Sequence, residues 1–230
     1  MKAIVLIASM IMLSGCTSST TGEGSTSTTF HATASPRPST SPLDQKTANV
    51  AVLRRSDVGS GYTEKPYIPS AQTASDDAIE QHCLGRPPTA TEQTTLAYSP
   101  VFTEGDAKQV LASVTFVRSS IMATDDFDAL RSGVAPACLR KIFTMQLRRT
   151  LQETPRLDLK RISFSSGNAN VCEYRFRVTV GTSAGDLTQY LDLISAIRGR
   201  AEVQATFQNV NAPADHAFEE HVINAMLQRL

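Results

Sequence analysis

Between residues 157 and 207 the chain passes through four strand-length patterns in succession, with only turn-length connections between them. A chain needs a dozen or more residues of crossover to return parallel to its neighbour, so these consecutive strands must pair antiparallel. Val171 to Val180 alternates: Cys172, Tyr174, Phe176, Val178 and Val180 face one way, and Glu173, Arg175, Arg177 and Thr179 face the other. Leu187 to Ile197 carries apolar side chains on both faces, as a central strand does. Ala201 to Phe207 is one-sided, with Glu202, Gln204 and Thr206 outward, and Leu157 to Phe164 changes phase midway, which predicts a bulge. Thr94 to Thr103 and Gln109 to Arg118 add two earlier strands joined by Glu104-Gly105-Asp106.

Helical patterns surround these strands. Leu43 to Arg54 reads as a short helix, and Asp57 to Tyr62, with two glycines, as a turn. Ser75 to Leu84 predicts a second helix, stopped by Gly85 and Pro87-Pro88. Thr124 is the expected cap of a third, with Asp125 and Asp126 in its first turn. Pro136 suits the start of a fourth, in which Leu139, Phe143, Leu147 and Leu151 form an apolar stripe. Pro213 opens a last one, with Phe218, Val222, Ala225, Met226 and Leu230 as its apolar set. The expected fold is α+β: an antiparallel sheet of about five to six strands flanked by helices, in one domain spanning residues 44–230.

The N-terminus belongs to a different regime. Met1-Lys2 precedes an unbroken apolar run, Ala3 to Leu13. Eleven residues fall short of the roughly 20 that cross a bilayer but suit the core of a signal peptide. Leu13-Ser14-Gly15-Cys16 follows and resembles the lipobox of bacterial lipoproteins. That resemblance implies removal of residues 1–15 and attachment of diacylglycerol to the Cys16 thiol, a lasting membrane anchor. In Thr17 to Pro42, fifteen of 26 residues are Ser or Thr and Phe30 is the one large apolar side chain, so residues 16–43 read as a lipidated cysteine and a disordered tether. A random coil of that length reaches about 30 Å.

Composition narrows function further. Lys+Arg and Asp+Glu both number 22, so no net charge draws the chain to nucleic acid. Three cysteines remain after Cys16: Cys83, Cys138 and Cys172. An exported chain can form one bond among them. Cys83–Cys138 is the expected pair, both lying near helix ends, with Cys172 as a small buried filler; pairings of Cys172 with either of the others are the alternatives. Closing the 55-residue loop would contribute about 4 kcal/mol in the chain-entropy model.

No catalytic or cofactor motif is present. Gly59-Ser60-Gly61 lacks the lysine of a phosphate loop, and Asp125-Asp126-Asp128 lacks the glycine and distal Glu of a calcium loop. His216 and His221 are five residues apart, which sets them about 140° apart around a helix and makes no metal face. His31 falls in the tether, and His82 beside Cys83 follows no ligand spacing. The chain is therefore expected to be no enzyme, with no cofactor and no metal.

Several stretches together resemble exported lipoproteins and sensor domains of actinobacteria, mycobacteria especially. They are Val52-Leu53-Arg54-Arg55-Ser56-Asp57-Val58-Gly59-Ser60-Gly61-Tyr62-Thr63, the cysteine segments Cys83-Leu84-Gly85 and Ala137-Cys138-Leu139, and the ending from Arg198-Gly199-Arg200-Ala201-Glu202-Val203 to Arg229-Leu230. The resemblance covers roughly residues 45–230 and extends in architecture to the extracellular sensor domains of receptor Ser/Thr kinases and to PsbP-like folds. Those kinase sensors use four cysteines in two bonds, where this domain has three and no kinase. The resemblance implies a sensor-like module at the extracytoplasmic face of the cell membrane, which binds a small-molecule or lipid ligand or an envelope protein. A structural protein docking on another envelope protein is the alternative. A hydrolase comes third, since it would need acidic and histidine side chains converging on a Ser or on Cys172.

Overall fold

A strand with apolar side chains on both faces must be covered on both, and this decides the architecture. The structure is a computed structural model that describes residues 41–68, 79, 82–85, 93–151, 155–164, 170–183 and 185–230. Its eight strands are β1 (Thr63–Lys65), β2 (Gln93–Tyr98), β3 (Val101–Glu104), β4 (Lys108–Val117), β5 (Arg156–Ile162), β6 (Asn170–Thr182), β7 (Gly185–Arg198) and β8 (Ala201–Val210). They form one sheet in the order β1-β3-β4-β8-β7-β6-β5, with β2 beside β3 on the same edge of β4, and every pairing is antiparallel.

The helices are α1 (Pro42–Ala51), α2 (Arg55–Val58), α3 (Ser120–Arg131), α4 (Ala135–Thr150) and α5 (His216–Gln228). They divide between the two faces. On one, Ala48, Val222, Ile223 and Met226 of α1 and α5 pack against Val114, Ile194, Val203 and Phe207. On the other, Phe127, Leu139 and Phe143 of α3 and α4 pack against Tyr174, Phe176, Leu191 and Leu193. There the Phe143 and Phe176 rings stack with centroids 4.3 Å apart. The α+β antiparallel architecture matches the expectation from sequence.

The differences have local causes. The stretch Thr94 to Thr103 forms two strands, because Pro100 has no N–H to give the ladder. Ser99 mends the gap: its N–H donates to Ala112 O at 2.8 Å, and its Oγ accepts from Ala112 N at 3.0 Å. The expected bulge in β5 does not occur, since the strand pairs without interruption from Arg156↔Thr179 to Ile162↔Glu173. Thr124 is not a cap. Ser119 caps α3 by accepting from Met122 N, and the Thr124 hydroxyl donates to Ser120 O inside the helix. Asp57 to Tyr62 is a turn only in part, because α2 runs to Val58 before Gly59 turns the chain at φ 90°. Of the helix expected over Ser75 to Leu84, only Ile79 and the last turn fall within the described residues, and these are helical. Residues 1–40, with Cys16, lie outside them.

The turn between β7 and β8 follows directly from sequence. Arg198 pairs with Ala201, leaving Gly199-Arg200 as a two-residue loop. Gly199 has φ 61° while Arg200 stays at negative φ, the pattern of a type II′ turn, in which glycine leads.

The two ends of the described body are clamped together. Arg229, just after α5, donates from both terminal nitrogens to the two carboxylate oxygens of Asp57, at 2.9 and 2.8 Å. The same guanidinium also donates to the carbonyls of Ala51 and Val52 at the end of α1. This pair holds the Asp57 carboxyl below its ordinary value: burial opposes ionisation, and the Arg229 and Arg54 bonds outweigh it. Removing the guanidinium would leave the buried Asp57 carboxylate with only the Arg54 N–H and the Ser56 hydroxyl as donors, and would take a charged donor from the Ala51 and Val52 carbonyls. Arg229→Ala is expected to lower stability by about 2–4 kcal/mol, measured by urea unfolding.

Candidate functional site

The alternation of β6 that sends Cys172, Tyr174 and Phe176 to one face sends Glu173 and Arg175 to the other. That other face lies beneath α5, and Glu173 is completely buried. Register brings Asp192 of β7 directly opposite Arg175 and places Ile194 opposite Glu173. Asp192 is also completely buried. The alternation places Glu173 and Arg175 as expected, and a second layer of helix covers that side of the sheet and keeps Glu173 from solvent.

Helix α5 supplies the remaining groups from its first turn. Asp215 caps it by accepting from Ala217 N at 2.9 Å. Helical spacing of three and four residues then places His216, Glu219 and Glu220 on one side. Glu219 is the third fully buried carboxylate. His216 Nδ1 lies 3.2 Å from Glu219 Oε2 and 3.5 Å from Glu173 Oε2, and its Nε2 lies 3.4 Å from Glu220 Oε1. The Phe164 ring meets the imidazole edge-on at 5.3 Å. At 38% side-chain exposure, His216 is where the cluster reaches solvent.

One guanidinium serves the three carboxylates. Arg175 donates from Nε to Asp192 Oδ1, and its Nη2 lies 3.4 Å from Glu173 Oε1 and 3.6 Å from Glu219 Oε2. Burial works against the Arg175 charge, but the bond to Asp192 and the surrounding carboxylates raise its pKa above the usual value. Glu173 is pushed up to about 7, first by burial and then by the charge on Asp192. Glu219 is also raised well above the carboxylate range, by burial first and then by the charge on Asp192. Glu173 Oε2, Asp192 Oδ2 and Glu219 Oε1 are buried with no hydrogen-bond donor directed at them. Such an excess of buried negative charge must be met by protons or by a cation.

The cysteines lie elsewhere. Cys83 and Cys138 are bonded, with Cα atoms 5.7 Å apart. Among the described residues Cys172 is the free thiol, buried on the opposite face of the sheet beside Tyr174, whose hydroxyl donates to Leu130 O at 2.7 Å. Burial pushes the Cys172 thiol up, away from the reactive thiolate. The full thickness of the sheet separates it from His216, so the convergence that a thiol hydrolase needs is not formed by these two groups. His221 stays apart from the cluster, in keeping with its angular distance from His216.

Sequence reading missed the cluster. Its one visible signal was Asp192, an acid inside the two-sided apolar run Leu187 to Ile197. A charge in the middle of a central strand needs a buried partner, and only pairing register identifies that partner as Arg175.

The Glu173 shift has a sign. The folded chain holds a proton there up to about 7, whereas the unfolded chain releases it near 4.5. This contribution to stability is complete below the lower value and is lost as pH rises through the upper one. In EDTA-containing buffer, Tm is expected to fall between about pH 5 and about pH 8. Glu173→Gln, neutral throughout, should flatten that fall, and a Tm that climbs over the same range would contradict this protonation.

No family model matches the chain, and no curated protein matches it. Among solved structures it is similar to the extracellular domain of PknH from Mycobacterium tuberculosis, at 11% sequence identity and a TM-score of 0.47, over 80% of this chain and 96% of that one.

Proposed function

We propose that the chain is a lipid-anchored extracytoplasmic binding module, sensor-like and non-catalytic, held at the membrane through Cys16. The observation that carries the placement is the Cys83–Cys138 bond in a chain whose leader ends in Leu13-Ser14-Gly15-Cys16. Disulfides persist in oxidising compartments, and the leader supplies the route to one. Among the described residues no helix is long and apolar enough to cross a membrane, and in this reading attachment falls to the lipid. The binding role is supported by the acidic cluster under α5, a charged site built into rigid strands and a helix and reaching solvent at His216.

A second reading, an accessory protein that docks on an acidic envelope partner, has its own observation. Arg140, Lys141, Arg148 and Arg149 line the outward side of α4 along a concavity of about 600 Å³. Photo-crosslinking from Thr144 would give a salt-sensitive adduct in that reading.

The anchoring claim is tested with Cys16→Ser in the full-length chain. Wild type should enter the detergent phase and carry the mass of an acylated N-terminal cysteine, while the variant stays aqueous or keeps its leader. A variant as firmly membrane-bound and as fully processed as wild type would overturn the reading. Non-reducing peptide mapping should recover Cys83 linked to Cys138 and Cys172 as a free thiol.

A further inference from the structure

We propose that Glu173, His216 and Glu219 form a binding site for one divalent cation of the zinc class. The inference goes beyond the binding-module reading and does not depend on how the chain is anchored.

The geometry comes first. One ligand atom from each of the three residues lies within 4.8 Å of the other two. A tetrahedral zinc with bonds of about 2.1 Å sets its ligand atoms about 3.4 Å apart. The separations from His216 Nδ1, 3.2 Å to Glu219 Oε2 and 3.5 Å to Glu173 Oε2, already have that size. The residues come from a central strand and the first turn of a helix, so the site is carried by rigid elements.

Charge comes second. Arg175 is bonded to Asp192 and can neutralise one of the three buried carboxylates. The two left over are Glu173 and Glu219, the proposed ligands: Glu173 Oε2, the oxygen that faces His216, is buried with no donor directed at it, and so is Oε1 of Glu219, beside its ligand oxygen. A dication would match that charge. Arg175 also donates to Glu173 Oε1 at 3.4 Å and lies 3.6 Å from Glu219 Oε2, so its closer bond to Asp192, and its use of the Glu173 oxygen turned away from His216, are what leave the ligand oxygens available.

The third argument is the histidine's outer partner. His216 Nε2 faces Glu220 Oε1 at 3.4 Å. A proton on Nε2 directed at Glu220 leaves the Nδ1 lone pair for the metal, the arrangement by which carboxylates orient metal-bound imidazoles. Imidazole with carboxylates favours zinc and neighbouring transition ions over calcium or magnesium, which prefer oxygen alone. The partial exposure of His216 gives the ion a way in and leaves a fourth position for water or an exogenous ligand.

The test uses the full-length chain in detergent, stripped with chelator and titrated with Zn²⁺ against a chromophoric indicator. One equivalent should bind, and saturating Zn²⁺ should raise Tm. His216→Ala should weaken binding by about 100-fold or more, and Glu220→Gln by about ten-fold, the scale of an outer-partner loss. His221→Ala should leave binding unchanged. His216 is partly exposed in a first turn, so its removal should spare the fold, as circular dichroism would show. Glu219→Gln provides a second check: it removes charge from the buried cluster and should keep the fold while losing the metal. No stoichiometric binding by wild type, equal binding by wild type and His216→Ala, or a preference for Ca²⁺ would overturn the assignment.

Discussion

A sheet covered by helices on both faces has no outward side in its centre, and the rest of this molecule follows from that constraint. Strands β6, β7 and β8 lie between α1 and α5 on one face and α3 and α4 on the other. A polar side chain in the middle of such a strand cannot reach water by alternation alone. It must be paired inside the protein or be held neutral. Glu173 and Asp192 are in that position, Glu219 is buried against them from α5, and among the described residues Arg175 is the guanidinium set among the three.

The packing that buries these groups also explains how the body is fastened. Helix α1, the first element of the described body, and α5, which carries His216 and Glu219, share one face of the sheet. The Arg229–Asp57 pair joins the end of α5 to the turn after α1. Asp44 and Arg200, 2.8 Å apart, join the start of α1 to the β7–β8 turn. The N-terminal end of the described body and the acidic cluster therefore belong to one layer, while the disulfide serves the other layer, next to Phe127 and Leu139. The two faces have different chemistry: one is apolar with a buried thiol, and the other mixes an apolar core with concentrated charge.

Much of the fold was legible in the residues. Alternation in Val171 to Val180, two-sided apolarity in Leu187 to Ile197 and Gly199 in a two-residue turn are local patterns with one backbone solution each. The phase change in Leu157 to Phe164 misled. In an edge strand, apolar residues on the wrong side cost little, so a broken pattern need not mean a broken ladder. The start of α3 was misplaced because Ser119 and Thr124 both offer a capping hydroxyl; Ser119 takes the cap, and Thr124 bonds Ser120 O inside the helix.

The candidate site was nearly invisible beforehand. Its members are spread from residue 173 to residue 220, on two strands and a helix, and no spacing in the chain relates the strand residues to those of the helix. Sequence by itself determined the apolar run Ala3 to Leu13 ahead of Cys16, the antiparallel succession of strands and the thiols available for bonding, because those depend on neighbours along the chain. Tertiary structure alone decided that α5 covers the polar face of β6. Whether a side chain meets water or another carboxylate depends on what packs above it, and that is a property of the assembled layers.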